Sequence, residues 1–282
     1  MGVTSRFGAG SGGDGMKTLI IALALCGAAV LALEAQATTD EVARDARWQE
    51  LKEVIFEGRP VQDGSGLVVL EAPARALDAA LVPVTIRMTD AAGVTGVYLV
   101  IDENPAPLAA HIAFGPGADP RAVSLRVRVN QYTRMHAVAE TADGQLHETM
   151  VFVKAAGGCS APVGADEAAS LAEIGRMKLR LGSEFAPGAP VEAQLMIRHP
   201  NFSGMQMDQL TRMYTPMRFV QTVDIAYDGT PVLHVDGDIS LSTDPVIGFA
   251  FTPKGPGEMT VVVRDSDGAV FEDSFPLPPS GS

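Results

Sequence analysis

The strongest constraint on the fold is a train of short alternating segments. LVVLEAP, VPVTIRMT, GVYLVID, AAHIAF, VSLRVRVN, RMHAVAET and HETMVFVKA follow one another between residues 67 and 155. Each is too short for a core helix. Several alternate apolar with polar residues, as at Val123, Leu125, Val127 and Val129. A period of two puts the apolar set on one face, the pattern of a half-buried antiparallel strand. Asp90–Gly93, Asn104-Pro105, Gly115-Pro116-Gly117 and Asp143-Gly144 separate the segments with residues that supply turn geometry. Seven or so short strands with regular turn signals spell an immunoglobulin-like sandwich.

A second train follows: RMKLRLG, VEAQLMIRH, RFVQTVDIAYDG, PVLHVDGDI, VIGFAFTP, EMTVVVRD and AVFEDSFPL. Asp228-Gly229 and Asp267-Gly268 fall between strands as hairpin signals. The chain therefore reads as mainly β, with two immunoglobulin-like β-sandwich domains over 59–158 and 176–279. No clear sequence repeat relates them. Ahead of them, within 38–58, EVARDARWQELKEVIFEG carries Val42, Ala46, Leu51, Val54 and Ile55 at near-helical spacing. Thr39 or Asp40 can cap a helix over about 40–57, and Gly58 and Pro60 stop it. Trp48 reads as a packing anchor on the first domain.

The N-terminus reads as a targeting segment. Met16-Lys17 opens a basic start, Thr18–Leu33 is an apolar run and Ala35-Gln36-Ala37 is a small-residue exit. That is the layout of a secretory signal peptide over 1–37, cleaved after Ala37, which predicts a periplasmic protein. The low-complexity stretch before Met16 makes Met16 the expected true start. Cys26 lies inside the apolar run after Leu25, where a lipid-attachment site wants a small residue. Cleavage leaves Cys159 as the sole cysteine. An odd cysteine in an exported protein suggests a free reactive thiol or pairing between chains, such as a dimer disulfide-linked through Cys159. The plainer reading is a buried small hydrophobe. Gly157-Gly158-Cys159-Ser160-Ala161-Pro162 offers no apolar periodicity to bury it. A net charge of −13 and a pI near 4.7 argue against nucleic acid or anionic membrane as partners.

Enzyme signatures are few. The sequence has no GxSxG, P-loop, CxxC or HExxH, and after the low-complexity start no GxGxxG. His111, His136, His147, His199 and His234 lack metal-ligand spacing. Asp265-Ser266-Asp267-Gly268 fits a hairpin turn better than a calcium loop. Two features remain. The first is Cys159 on a linker, 159–175, preceded by Gly157 and Gly158 and followed by Ser160. So slender an arm suits a narrow cleft, and extended from Val153 it reaches on the order of 20 Å. Lys154 is its nearest cation in sequence and lies on the strand, so strong thiol activation is not expected. The second is Met205, Met207, Met213 and Met217 in SGMQMDQLTRMYTPMR. Thioethers suit Cu(I), with Cys159 or His199 as further ligands. Irregular spacing and the crowding cations Arg212 and Arg218 favour an adaptable contact surface instead. No resident metal or cofactor is expected.

A family resemblance covers most of the chain. EAPARALDAALVPV (71–84), DENPAP (102–107), RVRVNQYTRMHAVAETADGQL (126–146) and VKAAGGCSAP (153–162) resemble SoxY, the sulfur-carrying subunit of bacterial thiosulfate oxidation. RMKLRLGSEFAPGAPVEAQLMIRHPNFSG (176–204), FVQTVDIAYDGTPV (219–232) and VVVRDSDGAVFEDSF (261–275) resemble its partner SoxZ. The whole is similar to the fused SoxYZ-like carriers associated with quinoprotein dehydrogenases. The resemblance implies a non-catalytic carrier that bears a sulfur intermediate covalently on Cys159. It implies as partners periplasmic oxidoreductases of sulfur oxidation or of quinoprotein dehydrogenase and cytochrome systems. Gly157, Gly158 and Cys159 match the family's Gly-Gly-Cys-Gly-Gly arm, whereas Ser160 and Ala161 replace its last two glycines. The arm is also tethered at both ends, because a second domain follows it. Two other readings stand beside the carrier: a docking module for an exported dehydrogenase that carries nothing, and a copper chaperone built on the methionines.

Overall fold

The computed structural model describes residues 1–2, 40–162, 171–207 and 211–278 of the 282-residue chain. The expected signal segment, Cys26 and most of a helical turn expected around Asp166–Ile174 lie outside the described residues. Among the described residues no helix is long and apolar enough to cross a membrane. The chain divides into two compact units, Met1–Glu50 and Leu51–Ser282. In the first, the helix begins at residue 40, and Arg44 pairs with Glu41 at 3.3 Å along one helix face. Trp48 is buried. The helix runs over 40–56, one residue short of its expected end. Glu57 and Gly58 stop it with φ of 54° and 76°, the left-handed exit that suits glycine.

The second unit holds the strands. The first half contributes β1 (Val61–Asp63), β2 (Val68–Glu71), β3 (Val82–Met88), β4 (Val94–Ile101), β5 (Leu108–Phe114), β6 (Ala118–Val127), β7 (Thr133–Thr141) and β8 (Leu146–Val153). The second contributes β9 (Met177–Leu181), β10 (Val191–Ile197), β11 (Val220–Tyr227), β12 (Thr230–Gly237), β13 (Val246–Phe251), β14 (Gly257–Asp265) and β15 (Val270–Leu277). Every strand expected from the period-two pattern is present. Only β1, which pairs in parallel with β8, had no such signal. Asp228 and Gly229 take φ of 47° and 72°, which fits the β11–β12 hairpin turn.

The two sandwiches do not merely pack against each other. They share both sheets. One sheet has nine strands in the order β1-β8-β7-β4-β5-β12-β11-β14-β15, and the other six in the order β2-β3-β6-β13-β10-β9. Leaving β1 aside, β2 to β8 in the first half hold the same relative places as β9 to β15 in the second, in both sheets. The halves thus meet head to head along a seam. On one sheet the seam is the antiparallel pair β5–β12, with Ile112 opposite Val235 and His111 opposite Asp236. On the other it is β6–β13, with Gly248 opposite Ser124. One core cluster runs through both halves, taking Val84, Leu99 and Ile112 from the first and Leu195, Ile225 and Phe251 from the second.

Gly115 shows how close the approach is. Its N–H donates to the carbonyl of Val232 at 2.8 Å, and a Cβ there would stand 2.4 Å from the carbonyl oxygen of Pro231. The Gly115-Pro116-Gly117 signal therefore marks a seam contact as well as a turn.

Candidate functional site

The region around Cys159 is built from three pieces: the end of the first half, the arm and one loop of the second half. β8 ends at Val153, and Lys154 bridges in parallel to Arg75. The chain then turns at Gly157, where φ is +81°, a conformation that costs a side-chain-bearing residue energy. The Gly157 N–H donates to the carbonyl of Asn130 and the Gly158 N–H to that of Val129, each at 2.9 Å. At Gly158 the fit is backbone against backbone. A Cβ would lie 2.0 Å from the carbonyl oxygen of Ala79 and 2.7 Å from that of Val129. The Ser160 hydroxyl closes the turn by donating to the Gly157 carbonyl at 3.2 Å.

Cys159 is fully enclosed. Burial pushes its thiol up from an ordinary value near 9 to about 11, and the Arg128 charge only partly opposes this. At pH 7 a thiol titrating there is ionised at on the order of one part in ten thousand. The sulfur is not a nucleophile while the arm sits in this position.

Arg128, just past the end of β6, is also fully buried. Its guanidinium donates to the carbonyl of Gly158 through Nη1 at 3.2 Å and to that of Leu241 through Nε at 3.3 Å. Nη2 donates to the carbonyl of Asn201 at 3.0 Å and to the Thr243 hydroxyl at 2.7 Å. All four acceptors are neutral. Burial lowers the pKa of Arg128, and the sulfur of Cys159 and the carboxylate of Asp78 are the charges that oppose the shift. One side chain of the first half thus ties the arm to the second half.

The second half completes the enclosure with the loop between β10 and β11. The Ser203 hydroxyl donates to the carbonyl of Cys159 itself, and the Ser203 N–H donates to Gln206 Oε1 at 2.9 Å. Gln206 is buried, and its Nε2 has no partner among the described residues. Asn201, buried with φ of 47°, is the hub of the loop. Its N–H donates to His199 Nδ1 at 3.0 Å, its Oδ1 accepts from the Val220 N–H at 2.9 Å and its Nδ2 donates to the Leu241 carbonyl at 3.2 Å. That leaves His199 Nε2 to carry the proton facing Asp265 Oδ2, 3.5 Å away. Burial holds His199 below its ordinary pKa, so the ring is neutral at pH 7.

This geometry corrects part of the sequence reading. Gly157, Gly158, Cys159 and Ser160 do form a slender segment, but it is folded back and the thiol is covered. The glycines remove side-chain bulk so that the backbone can sink against Ala79 and Val129. The cation coupled to the sulfur is Arg128, whereas Lys154 is exposed. Among the methionines, Met207, Met213 and Met217 are exposed beside the exposed Tyr214, and Met205 is half-buried. Cys159 and His199, the ligands considered with them, are both enclosed. Among the described residues no group of three or more His, Cys, Asp or Glu side chains is placed to hold a metal ion.

Arg128 escaped sequence reasoning because it shares its parity with Arg126 on a strand whose inward set is Val123, Leu125 and Val127. The strand ends at Val127, and with it the alternation that would have pointed Arg128 outward. The signal available was location: Arg128 lies within 126–146, and Asn201 and Ser203 within 176–204, two of the stretches that carry the family resemblance.

Comparisons with known proteins agree with this division. The family described as sulfur oxidation protein SoxY matches residues 52–159, ending on Cys159 itself. The family described as sulphur oxidation protein SoxZ matches residues 180–276. No curated protein matches the chain. Among solved structures, the sulfur carrier protein SoxY from Chlorobium limicola f thiosulfatophilum is similar at 23% identity over 42% of this chain and 98% of its own, with a TM-score of 0.36. A β-glycosidase from Bacteroides vulgatus is similar at 8% identity over 75% of this chain and 24% of its own, with a TM-score of 0.24. The chain carries a SoxY-family domain followed by a SoxZ-family domain, a fused SoxYZ-like member of the sulfur-oxidation carrier families.

Proposed function

We propose that the protein is a non-catalytic carrier in the periplasm that bears a sulfur-containing intermediate on Cys159 and presents it to partner enzymes. The observation that carries this reading is the position of the thiol. Cys159 closes the SoxY-matched segment, follows a Gly-Gly turn and is the only cysteine among the described residues. Loading joins Cys159 Sγ to the sulfur of a donor. One S–S bond forms, the thiol gives up its proton, and the two electrons released pass to a partner oxidoreductase. The product is a persulfide or a thiosulfonate. The partners are oxidoreductases of sulfur oxidation or of a quinoprotein dehydrogenase and cytochrome system.

Intact-mass measurement of the protein from its native compartment tests this. The expected result is a population heavier than the bare chain by the adduct, returned to the bare mass by a thiol reductant and absent from Cys159→Ala. A chain that is always unmodified, with a pathway indifferent to Cys159→Ala, ends the reading.

The burial of Cys159 favours one rival: an accessory module that docks onto an exported dehydrogenase and carries nothing. It requires that Cys159→Ser still recover the partner in a pull-down and leave activity intact. The carrier reading requires that activity be lost while the partner is retained.

A further inference from the structure

Two side chains that the carrier chemistry leaves unassigned, Arg128 and Ser203, bond the arm, and a third, Gln206, holds Ser203. We propose that Arg128 and Ser203 are positioning residues for the carrier arm, a two-part latch that holds Cys159 closed and has to open before the thiol can react. The inference rests on the carrier reading for its purpose, but its physical content is independent of what the thiol carries.

The closed arm is over-determined by bonds from both halves. The first half supplies the acceptors Val129 and Asn130 for the two glycine N–H groups. The second half supplies Ser203, whose hydroxyl holds the Cys159 carbonyl. Arg128 spans the two, bonding Gly158 with one nitrogen and Asn201 and Thr243 with another. These bonds fix the backbone on both sides of the sulfur and make none with the sulfur itself. The bonds therefore act on the thiol through the backbone, beside the charge that Arg128 also presents to it.

The enclosure also sets a size limit. Cys159 has no exposed surface and Gly158 has no room for a methyl group. A sulfur donor has no path to the sulfur in this state, and a partner enzyme's narrow site cannot receive it. Reaction needs a state in which Gly157–Ser160 has left Ala79 and Val129.

Ser203 is where a partner can act on the latch. It lies on the β10–β11 loop, which also exposes Met207, Met213, Tyr214 and Met217. Gln206 joins the inner and outer parts of that loop. Its Oε1 accepts from the Ser203 N–H, and its Nε2, buried with no partner among the described residues, makes this a weakly satisfied joint. The loop that locks the arm is thus the loop with an apolar outer surface.

The test is the pH profile of Cys159 alkylation by iodoacetamide, followed by intact mass on the full chain. A closed wild type is expected to titrate near pH 11. At neutral pH it is expected to react about a hundred-fold more slowly than a thiol titrating near 9. The variants separate positioning from plain electrostatics because the two predict opposite signs. If Arg128 only lends its charge to the sulfur, Arg128→Gln raises the midpoint and slows alkylation, and Arg128→Lys restores both. If Arg128 positions the arm, Arg128→Gln frees it, the midpoint falls toward 9 and alkylation speeds up. Arg128→Lys, which cannot span the same four acceptors, then changes in the same direction. Ser203→Ala keeps every charge and is expected to lower the midpoint and speed alkylation, which keeps the test intact where an Arg128 variant does not fold.

A wild type that alkylates like an unstructured thiol overturns the latch. So does a raised midpoint in Arg128→Gln, or a Ser203→Ala profile matching wild type. None of these outcomes bears on whether Cys159 carries sulfur, which the mass of the native protein reads separately.

Discussion

His111 on β5 and Asp236 on β12 face each other across the seam, with Nδ1 3.2 Å from Oδ2. The other oxygen of Asp236 lies 3.1 Å from His234 Nε2, and His234 Nδ1 lies 2.6 Å from Asp224 Oδ1. A neutral imidazole has one N–H, so only the imidazolium satisfies both carboxylates of His234. The hydrogen bond to Asp224 is the largest cause holding the His234 pKa above its ordinary value.

The sign of the pH dependence follows. A raised folded pKa means that the stabilisation is complete below the unfolded value near 6.5 and is lost as pH rises through the folded one. The groups are nearly half exposed, so the loss is expected to be at most about 1 kcal/mol. NMR titration of the His234 ring checks it. The midpoint should lie above 6.5 in wild type and fall in Asp224→Asn.

Gly158→Ala is expected to undock the arm without unfolding the sandwich, because the added methyl meets the Ala79 carbonyl at 2.0 Å and a carbonyl cannot rotate away like a side chain. Hydrogen exchange is the direct measurement. The Gly157 and residue 158 amides should lose protection by at least tenfold, while Val97, Ile112 and Ile225 in the sheets remain as protected as in wild type.

Asn201→Ala removes the acceptor of the buried Val220 N–H and the donor to the Leu241 carbonyl, and leaves alanine at φ of 47°. The Val220 N–H is orphaned and the Leu241 carbonyl keeps only its bond from Arg128; with the left-handed backbone this predicts a loss of about 2–4 kcal/mol. Urea unfolding should show it as a lower midpoint. Asn201→Asp, which keeps the acceptor for Val220, should lose less of the Val220 bond but lacks the donor to Leu241.

The seam predicts that the halves find each other without a covalent link. Coexpressed as residues 1–162 and 163–282, they should copurify as one species, because β5–β12 and β6–β13 supply backbone bonds in both sheets. Leu233→Asp, which puts a charge into the core beside the seam, should abolish copurification.

The strands were legible because side-chain alternation is written residue by residue. Val123, Leu125, Val127 and Val129, all expected to face inward, are all buried. The sharing of sheets was not legible. Pairing between β5 and β12 uses backbone groups that every residue except proline carries, and its sequence traces are single residues such as Gly115 and Gly248. The arm was half legible. Gly157-Gly158 next to a lone cysteine marked a slender segment, but paired glycines fit an extended arm and a docked one equally well. What decides between them is Arg128, Ser203 and the Ala79 carbonyl, which lie far from Cys159 in sequence.

The single chain also changes how its seam forms. Two separate subunits have to collide, and their union weakens on dilution. Here the covalent connection between β8 and β9 makes closure of the seam an intramolecular step, at an effective concentration on the order of millimolar for a short tether. The two faces are then made in equal number whatever the expression level, and neither can be exchanged for a free copy without first breaking both shared sheets. The protein trades interchangeable subunits for fixed stoichiometry.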